Sequence, residues 1–335
     1  MQAKLRRVLI YSLTALMLVT AWLGWFALSP VALPAAAVDF SIKPGSSLKS
    51  ATRQMIEAGL DMPAWPFNLL VRFFVGDTKI KAGGYQVRAG VTPWNLMRKI
   101  TLGDFTQVEI VFVEGWTFRQ MRAALDAHSE LKHDTAALSD DRIMEELGVR
   151  DRPPEGLFFP DTYLFGKGES DFAILKRAHR EMNKRLQSAW NQRAADLPLA
   201  NAYEALILAS IVEKETGLAS DRALVAGVFI NRLRSGMNLQ TDPSVIYGMG
   251  DKFNGNLRKR DLMTDTTYNT YTRAGLPPSP IAMPGQASLL AAVNPAVTGA
   301  MYFVARGDGS SVFSRTLEEH NRAVARYQKP GATRP

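Results

Sequence analysis

Cysteine is absent from the 335 residues of this sequence, and histidine occurs only four times. The lack of cysteine excludes disulfide bonds, thiolate metal ligands and a thiol nucleophile. It is compatible with a reducing compartment, and equally with an exported protein that avoids thiols. His128, His133, His179 and His320 are scattered, and none belongs to an HExxH pattern. The composition therefore points away from a zinc enzyme.

Positive charge is in excess, since 40 lysine and arginine residues stand against 32 aspartate and glutamate residues, for a net charge of +8. Such a surplus favours a polyanionic partner, such as nucleic acid, lipid head groups or an acidic polymer. Beyond the N-terminus no basic run is dense enough to indicate nucleic acid, so nucleic acid is not predicted as a partner. The remaining composition is that of a globular protein with room for two or three domains.

The N-terminus has the pattern of a membrane anchor. Residues 1–7 include three basic side chains, and residues 8–28 then carry no charge and place aromatic residues toward both ends. As a helix, residues 8–28 span roughly 30 Å, the thickness of a bilayer core. The basic flank predicts a cytoplasmic N-terminus with the rest of the chain outside. The alternative is a signal peptide cleaved near Ala35–Ala37, although an apolar region of this length favours a retained anchor.

Local patterns divide the remaining chain into a linker and two globular parts, and they predict an α+β fold class. Residues 29–38 are rich in proline and alanine and are predicted to form a short linker. Residues 39–106 contain two strand–turn–helix patterns, which resemble a LysM-like glycan-binding module. Residues 107–335 are mainly helical by periodicity, with a β-hairpin predicted around the turn at 306–309.

The larger part is organised around the apolar stretch at 202–215, which ends in two glutamates separated by a lysine. Helical spacing places Glu215 in line with the apolar side chains three, four and seven residues earlier, whereas Glu213 projects about 200° away. A carboxyl group at the end of a buried apolar stripe loses hydration, so its pKa rises and it keeps a proton near neutral pH. Such a group can protonate a leaving oxygen. The alternative is a solvated glutamate at a helix end.

The polar loops after this helix complete a pattern that resembles a known family. The motifs run in a fixed order: 211–216 IVEKET, 228–233 VFINRL, 239–243 LQTDP, 245–248 VIYG, 268–272 YNTYT and 275–278 GLPP. The aromatic stretch at 155–163 and the apolar N-terminal segment fit as well. On these residues the sequence is identified as a member of the YceG-like (MltG) family of endolytic murein transglycosylases. It is more loosely similar to soluble lytic transglycosylases with a lysozyme-like core.

The resemblance implies an inner-membrane anchor, a LysM-like subdomain and a lysozyme-like catalytic domain in the periplasm. It implies Glu215 as the catalytic acid, which the helix-face argument also favours. One carboxyl group then suffices, because the C6 hydroxyl of N-acetylmuramic acid attacks its own C1 and forms a 1,6-anhydro end. The mechanism needs no cofactor and no metal.

Several polar and aromatic side chains are candidates for binding the glycan strand of peptidoglycan. Gln240, Asn269 and Tyr271 are predicted to contact the sugar, and Asn231 and Asp242 are weaker candidates. Aromatic rings suit sugar faces, so Tyr247 and Tyr268 are predicted to line the cleft. For each polar residue the alternative is a hydrogen bond that orders its own loop.

The anchor suggests an enzyme that cuts nascent strands near the membrane, as a terminator of elongation beside the peptidoglycan synthases. Three alternatives remain open. The large part can be a non-catalytic murein-binding scaffold, or a hydrolytic muramidase that pairs Glu215 with Asp242. A serine protease using Ser244 is the third, although no base lies at a convincing spacing.

Overall fold

A computed structural model of the chain describes residues 2–43, 45–76 and 80–328, and it divides into two compact units. The N-terminal unit comprises residues 1–109, 129–132 and 164–170, and the C-terminal unit comprises 110–128, 133–163 and 171–335. Residues 329–335, the end of the predicted catalytic domain, lie outside the described residues. The fold class is α+β, with an N-terminal apolar helix and small two-stranded sheets.

The N-terminal unit is built from four helices and a two-stranded sheet. Its elements are, in chain order, α1 (Gln2–Leu28), β1 (Ala37–Ile42), α2 (Leu48–Glu57), α3 (Ala64–Phe74), β2 (Gly83–Arg88) and α4 (Pro93–Leu102). The two further strands β3 (Gln107–Val111) and β4 (Thr162–Gly166) each contain a point at which the chain passes from one unit to the other.

Strands β1 and β2 pair antiparallel, from Ala37 opposite Arg88 to Ile42 opposite Gly83. Side chains alternate between buried and exposed along β1, as the period of a strand with one covered face requires. The predicted strand–helix order is correct for β1, α2, β2 and α4. Helix α3 was not predicted, and it lies between the two repeats, so the sequence pattern is not a simple duplication.

The C-terminal end of α1 belongs to the core of this unit. Phe26 and Ala27 are buried among the residues of α2, α3, α4 and the sheet. The predicted linker is held as well, because Val31 is buried and its N–H donates to Val91 O at 2.8 Å. Ala32 O accepts from the N–H of Asp61 at 3.1 Å. Residues 29–38 are therefore fixed to the unit along their length by packing and backbone hydrogen bonds.

The C-terminal unit is mainly helical and includes one β-hairpin. Its helices are α5 (Phe118–Asp126), α6 (Asp140–Glu146), α7 (Asp171–Asn191), α8 (Ala202–Glu215), α9 (Ala219–Arg234), α10 (Asp242–Met249), α11 (Lys259–Met263), α12 (Gln286–Val293) and α13 (Leu317–Tyr327), with a short 3₁₀ turn at Gly250–Lys252. Helix α8 lies at the centre and contacts α7, α9, α10 and α12.

The predicted hairpin is formed by β5 (Tyr302–Ala305) and β6 (Ser311–Ser314), which pair antiparallel. The Arg306-Gly307-Asp308 sequence forms the turn between them, and Asp308 Oδ1 accepts from the backbone N–H of Ser310 at 2.9 Å. Helix α13 follows directly and packs on both strands. The hairpin and α13 together make one wall of the cavity described below.

Candidate active site

Helix α8 carries Glu215 as its last residue. Asn201 caps its first turn, where its Oδ1 accepts from the N–H groups of Tyr203 and Glu204 at 3.0 and 3.1 Å. All residues from Ala205 to Val212 are buried, which explains why this helix is apolar around its whole circumference. The helix ends at Glu215 because Thr216 is extended. The buried helix α8 therefore holds the Glu215 carboxyl group in a fixed position at its C-terminal end.

The surroundings of the Glu215 carboxyl group include some groups that raise its pKa and others that lower it. Burial raises its pKa to about 7, and the negative charge of Asp242 acts in the same direction. The hydroxyl of Thr241 donates to Glu215 Oε1, and this hydrogen bond and the Arg232 charge favour the ionised form. Because burial dominates, the group carries a proton for much of the time near neutral pH, and it can both give and take one.

Glu213 has a different setting, although it lies only two residues earlier. Its Oε2 accepts from the backbone N–H of Gly285 at 2.9 Å, which holds the segment before α12. The neighbouring Lys214 donates from Nζ to Gly115 O at 3.2 Å. Glu213 therefore serves to fix the backbone, as its position on another face of the helix requires.

Arg232 on α9 is the cation of the site, and sequence reasoning missed it. Its side chain is buried and donates to Leu239 O and Met301 O, both at 2.8 Å. Its guanidinium carbon also lies 5.2 Å from the ring centre of Tyr302. Since arginine stays protonated, this residue places a permanent positive charge near Glu215 and ties β5 to the loop before α10.

The loop from Gln240 to Asp242 brings a second set of polar groups to Glu215. Gln240 has a φ of 53°, a left-handed conformation that is unusual for a residue with a side chain. Its N–H donates to Thr270 O at 3.0 Å, and the N–H of Thr241 donates to Thr270 Oγ1 at 3.0 Å. These bonds hold the strained loop and aim the Thr241 hydroxyl at the acid.

Ser244 is part of this same network and cannot act as a nucleophile. Its hydroxyl is fully buried, lies 2.9 Å from Thr270 Oγ1 and donates to Thr241 O at 2.8 Å. A serine nucleophile needs access to substrate and an adjacent base. The protease alternative is therefore wrong.

Glu215 opens into a cavity of about 550 Å³. The cavity is lined by Glu215, Arg232, Leu239, Gln240, Asp242, Tyr271, Tyr302, Phe303, Val304, Ala305, Ser311, Leu317, His320, Val324 and Gln328. Tyr302 and His320 are stacked with ring centres 5.3 Å apart. Burial and the nearby Arg232 lower the pKa of His320, so its ring is neutral at pH 7. The lining thus combines the acid with aromatic side chains.

Three of the predicted substrate-binding residues share this cavity with the acid. They are Gln240, Asp242 and Tyr271. The hydroxyl of Tyr271 donates to Asp242 Oδ1 at 2.6 Å, and Arg232 Nη1 donates to Gln240 Oε1 at 3.4 Å. Each side chain is therefore already oriented at the edge of the open space.

Asn269 and Asn231 do not line the cavity, and the structure gives both a loop-ordering role. Asn269 is 1% exposed, and its amide donates to three carbonyl oxygens while its Oδ1 accepts from the N–H of Tyr271 at 2.8 Å. Asn231 donates to Thr298 O at 2.8 Å and to Ala300 O at 3.0 Å. Both side-chain amides thus donate to backbone carbonyl oxygens of the fold, and the predicted sugar contacts of these two residues stay a prediction.

Tyr247 also lies outside the cavity lining, in a cluster built around Glu155. The Tyr247 hydroxyl donates to Glu155 Oε2 at 3.1 Å, and the N–H of Phe118 donates to Glu155 Oε1 at 3.0 Å. Burial raises the pKa of Glu155 to about 7. Tyr268 packs edge-to-face on Tyr247 with ring centres 4.9 Å apart. In this structure Tyr247, which was predicted to line the cleft, donates a hydrogen bond to a buried acid.

Among the described residues, Asp126, His133 and Asp171 are close enough to hold a metal ion. The Asp171 carboxylate, however, accepts from Thr135 Oγ1 at 2.6 Å and from Phe172 N–H at 2.7 Å. These bonds order the start of α7, so the group is explained by local structure. The cavity with Glu215 is formed by other residues.

A second cavity, of about 580 Å³, belongs to the N-terminal unit. Its lining includes three basic side chains, Arg88, Arg98 and Lys99, and a single acid, Asp104. Lys99 and Asp104 form an ion pair at 2.9 Å. Although this cavity is as large as the first, it offers no acid poised for proton transfer, so the candidate active site is the cavity with Glu215.

Residues 40–326 match the YceG-like family. The chain is 30% identical to an endolytic murein transglycosylase of Bacillus subtilis over 308 residues, covering 87% of this chain and 84% of that protein. It is 26% identical to an endolytic murein transglycosylase of Streptococcus pneumoniae, again over 87% of this chain but over 58% of that longer protein. A solved structure of a putative yceG-like protein from Listeria monocytogenes is 28% identical, with a TM-score of 0.55, and the match covers 85% of this chain and 98% of that one.

Proposed function

The chain belongs to the YceG-like family, and from this premise we propose that it is an endolytic murein transglycosylase with Glu215 as its single catalytic acid and base. Its substrate is the glycan strand of peptidoglycan, and it cleaves the β-1,4 bond between N-acetylmuramic acid and N-acetylglucosamine inside a strand. The observation that carries the proposal is Glu215 itself, since its pKa is raised to about 7 at the mouth of a cavity of about 550 Å³.

Protonated Glu215 first gives its proton to the glycosidic oxygen, and the bond from that oxygen to C1 of the muramic residue breaks. The Glu215 carboxylate then takes the proton of the C6 hydroxyl of the same residue, while that oxygen bonds to C1. The products are a 1,6-anhydro end and a free 4-hydroxyl, and Glu215 is protonated again. The nucleophile is already part of the substrate, so proximity supplies much of the rate.

The cavity that contains the acid also has a lining suited to a sugar ring. Tyr302, which stacks on His320, and Phe303 place aromatic side chains in the lining, and such side chains suit contact with sugars. Gln240 and Asp242 offer acceptors for sugar hydroxyl groups, and Tyr271 orients Asp242. We assign substrate contacts to these residues and to Tyr302.

The positive charge of Arg232 restrains how far the pKa of Glu215 rises. It also balances the carboxylate that remains after the first proton transfer, so the base is stabilised without being neutralised. The surplus of positive charge over the whole chain suits murein, whose stem peptides carry carboxylates.

The apolar helix α1 is long enough to cross a membrane, with its candidate span at Leu9–Leu28. We infer a retained single-pass anchor in the inner membrane with both units in the periplasm. Cleavage near Ala37 would remove the buried residues Phe26 and Val31 from the N-terminal unit. This burial supports an anchor over a signal peptide.

An anchored enzyme meets glycan close to the place where strands are made. We therefore propose that it terminates nascent strands, beside the peptidoglycan synthases. The N-terminal unit adds a LysM-like glycan-binding function, for which its basic cavity of about 580 Å³ is the candidate surface. The C-terminal unit is proposed to be lysozyme-like in architecture.

The decisive experiment is product analysis. Full-length protein in detergent micelles is incubated with isolated murein, and the released fragments are identified by mass spectrometry. Internal cleavage to 1,6-anhydro ends supports the proposal. Reducing ends, heavier by one water, would instead indicate a muramidase that uses Asp242 as its second carboxylate. Unchanged murein would indicate a binding scaffold.

A further inference from the structure

Helix α3 turns a row of large apolar side chains away from the N-terminal unit. Trp65, Leu69 and Phe73 recur every four residues and are 62%, 43% and 78% exposed, and Phe74 beside them is 55% exposed. These four residues are called the α3 apolar face. The opposite side of the same helix packs into the core through Pro66, Phe67, Leu70 and Val71. The helix is thus apolar on both sides, although only one side is covered.

The α3 apolar face is joined directly to the membrane-crossing part of α1. The rings of Trp65 and Trp22 stack with centres 5.2 Å apart and planes 12° from parallel. Trp22 lies within the candidate span Leu9–Leu28. It precedes the end of α1 by about 9 Å along the axis, given the rise of an α-helix. A side chain that stacks on Trp22 shares its depth in the bilayer.

We propose that α3 lies in the interfacial layer of the same bilayer that α1 crosses, with the α3 apolar face toward the acyl chains. The proposal rests on the retention of α1 as an anchor, which is part of the proposed function. Given that anchor, the contact of Trp65 with Trp22 carries the start of α3 to the membrane boundary.

The composition of α3 fits a lipid surface. The helix contains no acidic residue, and its single charged residue, Arg72, is exposed in the last turn. Its one polar amide, Asn68, is turned inward and accepts from Thr52 Oγ1 at 2.7 Å. Tryptophan and phenylalanine side chains dominate the outer face, as they do where proteins meet the bilayer boundary.

Two further aromatic residues extend this layer. Trp25 on α1 is 68% exposed, and Trp94 on α4 packs edge-on against Phe74 with ring centres 5.0 Å apart. The exposed apolar surface is therefore continuous with the end of the spanning helix. A second contact with the bilayer fixes the rotation of the N-terminal unit about α1, which a single spanning helix leaves free.

The test uses the absence of cysteine, because any introduced cysteine is then the sole labelling site. The full chain carrying Phe73→Cys is labelled with an environment-sensitive fluorophore and reconstituted into vesicles of phosphatidylethanolamine and phosphatidylglycerol. Quenching is measured with lipids that are brominated on the upper part of their acyl chains and, separately, with aqueous iodide. Lys49→Cys, at an exposed position of α2, is the water-facing control, and Leu16→Cys in α1 is the bilayer control.

We expect the Phe73 label to be quenched by brominated lipid at least threefold more than the Lys49 label, and to be shielded from iodide. Iodide quenching equal to that of Lys49, with Leu16 quenched by lipid, would overturn the proposal and leave the anchor standing. Shielding from both quenchers would overturn it in favour of a protein partner or a second copy of the chain. Quenching of the Leu16 label by iodide would show that α1 does not cross the bilayer, and it would contradict the inferred anchor as well.

Discussion

Thr241 donates its hydroxyl hydrogen to Oε1 of Glu215 across a separation of 26 residues in the sequence. The donor stands on a loop whose backbone is held by Thr270, and the acceptor stands at the end of a buried helix. The proton affinity of the acid is therefore set by burial, which comes from α8 and its neighbours, and by one hydroxyl from a separate loop.

Replacing Thr241 by valine removes this hydrogen bond and keeps the volume of the side chain. Because the bond favours the carboxylate, its loss raises the pKa of Glu215, so the falling limb of the pH–rate profile moves to higher pH. Because the pKa of Glu215 is about 7, its protonated share at pH 7 rises in this variant, and the rate there is expected to increase by up to about twofold. Thr241→Ser restores the hydroxyl and should return the profile to that of the natural chain. An unchanged profile in the valine variant would contradict the assigned role.

The pair Glu215→Gln and Glu213→Gln tests which glutamate carries the chemistry. The first substitution removes the only group in the cavity assigned to proton transfer, and about 10²- to 10⁴-fold of the rate should be lost. The second keeps an amide oxygen that can accept from Gly285, so its effect should stay within a few-fold. Anhydro-muropeptide release per unit time is the measurement, and circular dichroism confirms folding. Equal losses in both variants would contradict the assignment.

Because the pKa of the buried Glu155 is raised, the free energy of unfolding should depend on pH. Its pKa is about 7 in the folded chain, whereas a freely solvated glutamate side chain has a pKa of 4.5. Between these values the unfolded state releases its proton first, so the free energy of unfolding falls as pH rises from about 4.5 to 7. The full shift corresponds to roughly 3 kcal/mol.

Glu155→Gln removes this contribution, and its melting temperature should fall less steeply with pH than that of the natural chain. Since Glu215 shifts in the same direction, the double variant with Glu215→Gln should flatten the curve further. Differential scanning calorimetry between pH 4 and pH 8 in detergent gives the comparison. Parallel curves for the natural chain and Glu155→Gln would rule out a buried, protonated Glu155.

The variants Asn269→Ala and Gln240→Ala should distinguish a residue that stabilises its loop from a residue that binds substrate. The buried Asn269 amide serves three carbonyl oxygens, and its loss is expected to destabilise the chain by about 1–3 kcal/mol. Gln240 is exposed at the cavity, so its truncation should raise KM with little change in melting temperature. Thermal melts and initial rates on both variants test the division, which fails if Gln240→Ala is the less stable of the two.

A chain beginning at residue 39 should be less stable than one beginning at residue 22. The shorter chain lacks Phe26 and Val31, both of which are buried in the N-terminal unit. Burial of a large apolar side chain contributes about 1.5–3 kcal/mol, so a loss of at least about 3 kcal/mol is expected. Urea titrations of the two chains would show it as a lower midpoint for the shorter one. Identical midpoints would mean that the end of α1 is not part of the core.

The periodicity of the sequence was sufficient to predict the helices and strands in which buried residues recur at a regular local spacing. It placed Glu215 in line with Leu208, Ile211 and Val212, all of which are buried, although α8 is buried around its whole circumference from Ala205 to Val212. It also located the hairpin at 302–314, since turn residues and strand alternation are local signals. The apolar N-terminal helix followed from length and composition.

Such local patterns could not predict the burial of side chains that contact residues far away in the sequence. Glu155 is buried by contacts with Phe118 and Tyr247, which lie 37 and 92 residues away. Asn269 and Gln240 are both polar loop residues, and only the folded chain shows that one turns inward and the other outward. Helix α3 was missed because it is apolar on both sides, so no polar face marks its period.

Because Phe26 and Ala27 are buried, the last two turns of α1 must fit both the lipid bilayer and the protein core of the N-terminal unit. A foreign spanning segment could substitute for residues 9–21, which belong to the candidate span and lie outside the core of the N-terminal unit. Residues 22–28 must also fit α3 and α4, so they cannot be exchanged between proteins independently of those helices. Chimeras joined at residue 22 should therefore succeed where chimeras joined at residue 29 fail.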